Sequence, residues 1–269
     1  MVSSAFRAAL RLTGYLALTL PLMPVQALLL MLHSRLARRL PYVYHRLVCR
    51  ILSIDVSIAG EVSSARPTLF VFNHISYLDI EVISAAVETC FVARSDMARW
   101  QLFGWLAKLQ QTVFVDRRAR TVATERDELA RRLDAGHNVV LFPEGTSSDG
   151  SQLRPFKSAF LSVAQRHVSG QPLVVQPVTI AYTRLDGMPI GRPLRPFVAW
   201  YGDMDLGPHL WFVLGMGRLT AELRFHRPVT IDELGSRKAL AAHCERVIKA
   251  ALEAANRGRP AVEEADAAQ

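Results

Sequence analysis

The chain has 269 residues, half of them hydrophobic, with a mean hydropathy of +0.16 and a formal net charge of +8. That length holds one sizeable domain with attachments. The hydropathy is high for a soluble enzyme and too low for a multi-span membrane protein, so a peripheral or singly anchored protein fits. The positive charge asks for an anionic partner. The three cysteines, Cys49, Cys90 and Cys244, are odd in number and lack metal-type spacing, which argues against a disulfide framework or a zinc site and for a reducing, cytosol-facing location.

From Leu12 to Leu32 every residue except Thr13, Thr19 and Gln26 is apolar, Gly or Pro, with arginines on both flanks. The stretch is long enough to span a bilayer, but Pro21 and Pro24 in its middle kink a helix. Two geometries stay open: a helix pair that dips into one leaflet and returns, and a single kinked span. A cleaved signal is disfavoured, because the apolar run is longer than an h-region and no cleavage site follows it. Arg35, Arg38, Arg39, Arg46 and Arg50 come next, with Leu36, Leu40, Leu47 and Ile51 expected on the opposite face. Such a basic juxtamembrane helix attracts anionic lipid. With no aromatic platform for bases, nucleic acid is a poor partner.

Strands and helices then alternate. Strands are expected at Ser53 to Ile58, Thr68 to Phe72, Phe91 to Ala93, Thr112 to Val115, Asn138 to Phe142, Val174 to Tyr182 and Ala221 to Phe225. Helices are expected at Trp100 to Gln110, Thr121 to Ala135, Phe156 to His167 and Ile231 to about Ala255, with a polar disordered tail beyond. This alternation argues an α/β fold with a mixed, largely parallel sheet and flanking helices, preceded by an N-terminal membrane-associated helical segment. The boundaries read as 1–52 for the anchor, 53–256 for the domain and 257–269 for the tail. Phosphate-binding glycine loops are absent, so nucleotide chemistry loses its support.

Four strand ends carry the chemistry. After Thr68 to Phe72 comes Asn73-His74-Ile75-Ser76-Tyr77-Leu78-Asp79, in which Ser76 has the S-x-x-D form of a helix cap. Five residues apart on one helix, His74 and Asp79 would point about 140° apart; a strand-to-helix corner lets them meet. A carboxylate beside an imidazole is a general-base arrangement, although a loop histidine and a helix N-terminal charge explain the same residues. The other three ends are Phe114-Val115-Asp116-Arg117, Phe142-Pro143-Glu144-Gly145-Thr146-Ser147-Ser148, and Val175-Gln176-Pro177-Val178-Thr179-Ile180. A proline restricts the last to an edge, a strand start or a bulge. Ligands of open α/β sheets collect at the carboxyl ends of strands, where these corners would converge.

In this order the four segments resemble the motifs of the glycerolipid acyltransferase family, typified by 1-acyl-sn-glycerol-3-phosphate acyltransferase, over roughly residues 60–185. The resemblance implies a membrane enzyme on the cytoplasmic face, in bacteria the inner membrane, anchored by residues 12–50 through a pair of helices. It would move a fatty acyl group from acyl-CoA or acyl carrier protein to a lysolipid hydroxyl, with no cofactor and no metal. His74 would be the base and Asp79 its orienting carboxylate. Backbone N–H groups around Gly145 and Thr146, or on a helix after them, would meet the oxyanion. Arg117 would contact phosphate, Glu144 the acceptor's head group, and Lys157 resembles a family lysine; a surface salt bridge, a turn-binding carboxylate and a solvated lysine are the bland alternatives.

Members acting on 1-acylglycerol 3-phosphate have arginine where this chain has Ser147. That loss removes a charge-assisted contact of roughly 1.5–3 kcal/mol to a phosphate. The run from Glu144 to Gly150, with Gly202 to Asp205 and Pro208 to Trp211, resembles a branch that includes lyso-ornithine lipid O-acyltransferases. Asp149, Asp203 or Asp205 would then face an ammonium, or serve as turn residues. The expected acceptor is 1-acyl-sn-glycerol-3-phosphate, giving phosphatidic acid, with lyso-ornithine lipid as the alternative. A thioesterase or lipid hydrolase using the same base, and a non-catalytic lipid-binding protein, are the rivals of other classes.

Overall fold

The computed structural model describes residues 3–115 and 122–259. Two helices lead, α1 (Ala5–Met31) and α2 (Leu36–Leu52). There follow β1 (Ile54–Ala59), β2 (Thr68–Phe72), α3 (Leu78–Ala86), β3 (Cys90–Arg94), a 3-10 turn at Ser95–Arg99, α4 (Gln101–Leu109), β4 (Val113–Val115), α5 (Val122–Asp134) and β5 (Val139–Leu141). The second half adds a 3-10 segment at Ser158–Gln165, β6 (His167–Val168), β7 (Gln171–Pro172), β8 (Val174–Leu185), β9 (Met188–Pro189), a 3-10 turn at Arg195–Phe197, α6 (Leu206–Gly215), β10 (Leu219–Phe225), α7 (Ile231–Leu234) and α8 (Arg237–Asn256).

The main sheet runs β1-β10-β8-β2-β5-β3-β4, with β9 folded back on β8. Every neighbouring pair along that path is parallel except β10 with β8. The mixed, largely parallel sheet with flanking helices is therefore as read from the sequence. In β2, Phe70 and Phe72 enter one core with Val82 and Ile83 of α3, while Leu69 and Val71 enter the other with Leu133 of α5 and Ile248 of α8. A strand buried on both faces needs the unbroken apolar run the sequence supplies. Each such side chain contributes on the order of 1.5–3 kcal/mol.

α1 is fastened to the domain at both ends. Arg11, only 8% exposed, donates to the carbonyls of Leu214 and Met216 at the end of α6, and Arg7 donates to Met216 as well. Cations suit those terminal carbonyls, which carry the negative end of the helix dipole. The N–H of Ser4 bonds the Gly215 carbonyl, and a side chain at Gly215 would collide with Ser3 and Ser4. Near its other end Gln26 donates to the carbonyls of Ala37 and Leu109. α1 and α2 pack against each other as a helical pair. On α2 the buried face is Ala37, His45, Val48 and Cys49, whereas Leu36, expected inward, is 57% exposed; the arginines do face outward.

Two further expectations are corrected, and the placing of Pro177 is narrowed. Phe156 to His167 is not an α-helix: Ser158–Gln165 is 3-10, and its buried residues Leu161 and Ala164 lie three apart, the period at which 3-10 side chains eclipse. The last helix is broken, because Gly235 at φ 77° ends α7 and Ser236 caps α8 through the Ala239 N–H. Pro177 lies within an inner strand, not at an edge. It sits at the break between the last β8–β10 pair, Val178 with Phe225, and the isolated bridge of Val175 with Val229, where no ladder bond needs its missing N–H. Helix α6 was not anticipated. The tail expected at 257–269 falls mostly outside the described residues.

Candidate active site

Strands β2 and β5 are parallel neighbours, so the loops leaving their carboxyl ends are adjacent. The first loop holds His74 and the second Glu144. Side chains bind the loops together: Glu144 accepts the His74 N–H through Oε1 at 2.7 Å and the Arg154 N–H through Oε2 at 2.9 Å. The Ser148 N–H donates to the His74 carbonyl at 2.9 Å. On the other side of β2, the Asn73 amide exchanges two hydrogen bonds with the backbone of Ile180 on β8. His74 thus projects from a corner held on both flanks.

His74 and Asp79 meet. Nδ1 of His74 lies 2.7 Å from Asp79 Oδ2, and that oxygen also accepts the N–H groups of Ile75 and Ser76 at 2.7 and 3.1 Å. The other oxygen accepts the Tyr182 hydroxyl at 2.8 Å. Asp79 is fully buried, so an ionised carboxylate here depends on these four donors. Because Oδ2 is an acceptor, Nδ1 carries the proton and Nε2 presents a lone pair. The imidazole stacks on Phe142 with centroids 4.2 Å apart and keeps 23% of its side chain exposed. Burial, then the Asp79 charge, push the Tyr182 hydroxyl well above its ordinary pKa, keeping it a donor.

The expected Ser76 cap is absent. Asp79 reaches back to the turn's N–H groups instead, one half of a capping box, while the Ser76 hydroxyl is buried with no partner. Glu144, expected at the acceptor's head group, is directed inward: it is 2% exposed and both oxygens bind backbone. Burial pushes its carboxyl up to about 7, against the pull of the His74 and Arg154 N–H groups. Ser147 is 7% exposed and donates to the Trp200 carbonyl at 2.5 Å, so it too faces the protein.

Gly145 occupies φ 74°, and a β-carbon there would lie 3.2 Å from the Phe160 ring and 3.3 Å from Lys157 Nζ. The lysine amine therefore stands over this turn, exposed to solvent. Of the expected oxyanion donors, the Gly145 N–H is committed to the Phe142 carbonyl, and no helix follows directly; the Thr146 N–H is the one of the pair not so engaged. Arg117 and Asp116 lie outside the described residues. Asp203 and Asp205 are exposed, and the Asp149 carboxylate accepts the Ser151 N–H as a turn residue does. Sequence reasoning missed Asn73, Phe142 and Tyr182 as the residues that hold the pair. Asn73 and Phe142 open two of the quoted segments, whereas Tyr182 lies in the unbroken buried run of β8 and gives no separate signal.

An apolar cavity of about 170 Å³ lies between α3 and the two leading helices α1 and α2. Tyr77 and Ile80 of the His74 turn and α3, together with Trp100, Phe103 and Trp200, form its inner wall.

The Acyltransferase family matches residues 53–181. A lyso-ornithine lipid O-acyltransferase from Brucella abortus (strain 2308) is 43% identical over 94% of this chain and 96% of its own length. A 1-acyl-sn-glycerol-3-phosphate acyltransferase from Neisseria gonorrhoeae is 30% identical over 67% of each. The crystal structure of the 1-acyl-sn-glycerophosphate (LPA) acyltransferase from Thermotoga maritima shares the fold, with a TM-score of 0.59, 23% identity, and coverage of 80% of this chain and 78% of that one.

Proposed function

The chain belongs to the acyltransferase family, and from that premise we propose that it is a membrane-associated lysolipid O-acyltransferase whose acceptor is lyso-ornithine lipid. The observation that carries the reaction is the Nδ1–Oδ2 contact of 2.7 Å, which leaves His74 Nε2 free to take a proton. The acceptor hydroxyl, poor as a nucleophile until deprotonated, gives its proton to Nε2 as its oxygen attacks the thioester carbonyl carbon. Asp79 holds the ring and stabilises the imidazolium. The tetrahedral oxyanion is met by the Thr146 N–H. Collapse breaks the C–S bond, and the departing thiolate recovers the proton from His74. No covalent acyl-enzyme is needed.

For the acceptor, the sequence reading put 1-acyl-sn-glycerol-3-phosphate first and lyso-ornithine lipid second. The 43% identity over nearly the whole chain, against 30% over two thirds of it, supports the reverse order. Ser147 supports the reversal, since it binds the Trp200 carbonyl and offers no cation to a phosphate. Lys157, over the Gly145 turn, suits the carboxylate of an ornithine head group. The donor is an acyl thioester of coenzyme A or acyl carrier protein. The apolar outer face of α1, with Phe6, Leu10, Leu28 and Met31 all more than half exposed, supports binding in the plane of a membrane surface. The three free thiols are in keeping with its cytoplasmic face.

The test is acyl transfer by purified full-length protein from each thioester to each lysolipid. Diacyl product from lyso-ornithine lipid, abolished in His74→Ala, is the expected result. Free acid released without acceptor would favour a hydrolase, and product from the phosphate acceptor alone would overturn the assignment of substrate.

A further inference from the structure

Two peptide units give Asp79 its backbone donors. The first joins His74 to Ile75 and the second joins Ile75 to Ser76, and their N–H ends meet Asp79 Oδ2 at 2.7 and 3.1 Å. The carbonyl ends of the same two units are held as well. The His74 carbonyl accepts the Ser148 N–H at 2.9 Å, with the Ser148 hydroxyl at 3.2 Å, and the Ile75 carbonyl accepts the Trp200 N–H at 3.0 Å. A planar amide bonded at both ends has its direction fixed, and each of its bonds polarises the other. The two holders differ in their own support. Ser148 continues the Glu144 turn, whose carboxylate binds the His74 and Arg154 N–H groups. Trp200 lies past the 3-10 turn at Arg195–Phe197, in backbone that belongs to no helix or strand. Its carbonyl accepts the Ser147 hydroxyl at 2.5 Å.

Resting on the reading of His74 as the base and Asp79 as its carboxylate, we propose that Ser147 is a positioning residue for that pair, its hydroxyl latching Trp200 to the Glu144 turn so that Trp200 sets the peptide unit that orients Asp79. The links follow one another. Ser147 Oγ donates to the Trp200 carbonyl, the Trp200 N–H to the Ile75 carbonyl, the Ser76 N–H to Asp79 Oδ2, and His74 Nδ1 to that same oxygen. Ser147, Ile75, Ser76 and Asp79 are all buried, so water is a poor substitute for any bond removed. Packing closes the same contacts. A β-carbon at Gly150 would stand 3.2 Å from Ile75 Cγ2, so the turn that carries Ser147 also abuts the Ile75 side chain, and the Trp200 ring meets Tyr77 edge-on with centroids 6.0 Å apart. Without the hydroxyl, Trp200 loses its tie to the turn and the Ile75–Ser76 peptide gains freedom to rotate. Oδ2 then loses the alignment of one of its three donors, and its direction toward Nδ1 relaxes. Ser147 faces the Trp200 carbonyl and stays clear of the cavity, so the effect belongs in kcat and not in KM.

The test compares Ser147→Thr with Ser147→Val in detergent-solubilised full-length protein, because the two side chains share a shape and differ in the hydroxyl alone. In steady-state acyl transfer the threonine variant should match the wild type and exceed the valine variant roughly two- to tenfold in kcat, the range of one neutral hydrogen bond, at equal KM. Ser147→Ala adds no atom to the site, carries the comparison where the branched pair does not fold, and should fall with the valine variant. A second readout is independent of turnover. The low-field proton resonance of His74 Nδ1–H, assigned by its loss in His74→Ala, should keep its place in Ser147→Thr and move in Ser147→Val and Ser147→Ala. Equal kcat with and without the hydroxyl, a difference confined to KM, or a resonance unmoved in Ser147→Ala would overturn the proposal. Transfer that needs His74 but ignores the hydroxyl sinks only the latch, whereas a wild type without transfer sinks the proposed reaction and leaves the resonance to decide the latch.

Discussion

Asp79→Asn tests the proposed role of the carboxylate more sharply than deletion does. Oδ2 accepts from His74 Nδ1, Ile75 N and Ser76 N, whereas Oδ1 accepts only the Tyr182 hydroxyl. An amide turned with its NH₂ toward His74 would meet three N–H donors. Turned the other way it keeps those three bonds, and Tyr182 rotates its hydroxyl to accept. The surroundings therefore hold the amide oxygen against Nδ1, and the productive tautomer survives. What is lost is the negative charge opposite the developing imidazolium. At about 4 Å and an effective dielectric near 20, that interaction is about 4 kcal/mol, less the neutral hydrogen bond that remains, of about 1 kcal/mol. The remaining 3 kcal/mol or so corresponds to roughly a hundredfold in kcat. The assay is steady-state acyl transfer beside thermal unfolding of the same protein, with Tm expected to fall by only a few degrees. A loss of about 10⁴-fold would mean that the amide had flipped and the tautomer had changed. A loss under about fivefold would refute the idea that Asp79 stabilises charge on His74.

Glu144 predicts a pH dependence of stability. Its carboxyl titrates near 7 in the fold against an ordinary 4.5, so the folded state holds the extra proton and stability falls as pH rises from about 4.5 to 7. The full span is about 3 kcal/mol, and Glu144→Gln should flatten that slope in unfolding measured across the interval; an unchanged slope would show the carboxyl to be unperturbed. Ser147→Arg should not convert the acceptor preference, because position 147 is buried against the Trp200 carbonyl; it should lower Tm, and a stable variant that gained phosphate acceptor would contradict this placement. Arg11→Met strips two hydrogen bonds from the end of α6 and should cost about 2–3 kcal/mol, read as a lower Tm and faster proteolysis within α1. Wild-type resistance to proteolysis would speak against the fastening.

The reaction corner was legible because its determinants are local. Thr68 and four apolar residues bounded by Pro67 and Asn73 make a buried strand, and the five-residue interval from His74 to Asp79 turns the chain through a corner that joins them. The same local reasoning misread Ser76, since the Asp79 N–H that its hydroxyl would cap goes to the Ser76 carbonyl, while the Asp79 carboxylate takes the N–H groups of Ile75 and Ser76. Glu144 was misdirected for a different reason. Its partners, the N–H groups of His74 and Arg154, come from 70 residues before it and 10 after it, and no motif encodes which way a carboxylate points. The cavity was not legible at all, because its walls come from α1, α2, α3 and α4 and exist only once the hairpin is folded down.

The fastening of α1 has a consequence for how a lipid reaches His74. With Arg7 and Arg11 bound to the end of α6 and Gln26 bound to Ala37 and Leu109, a helix of about 40 Å lies along the domain instead of standing away from it. Crossing a bilayer would detach a buried guanidinium from its carbonyls and leave both in hydrocarbon, at several kcal/mol for each unmet group. The helix is long and apolar enough to cross, yet Arg11, Thr19 and Gln26 point into the protein, and apart from Thr13 the residues it exposes are apolar, Phe6, Leu10, Leu20, Val25, Leu28 and Met31 among them. That pattern is an amphipathic helix built at high hydrophobicity, with its wet face turned to the enzyme and its dry face turned out. The cavity roof and the exposed apolar surface are then two sides of one helix. In the proposed reaction an acyl chain lying beneath α1 would pack on Tyr77 and Ile80, within one turn of the corner that carries His74.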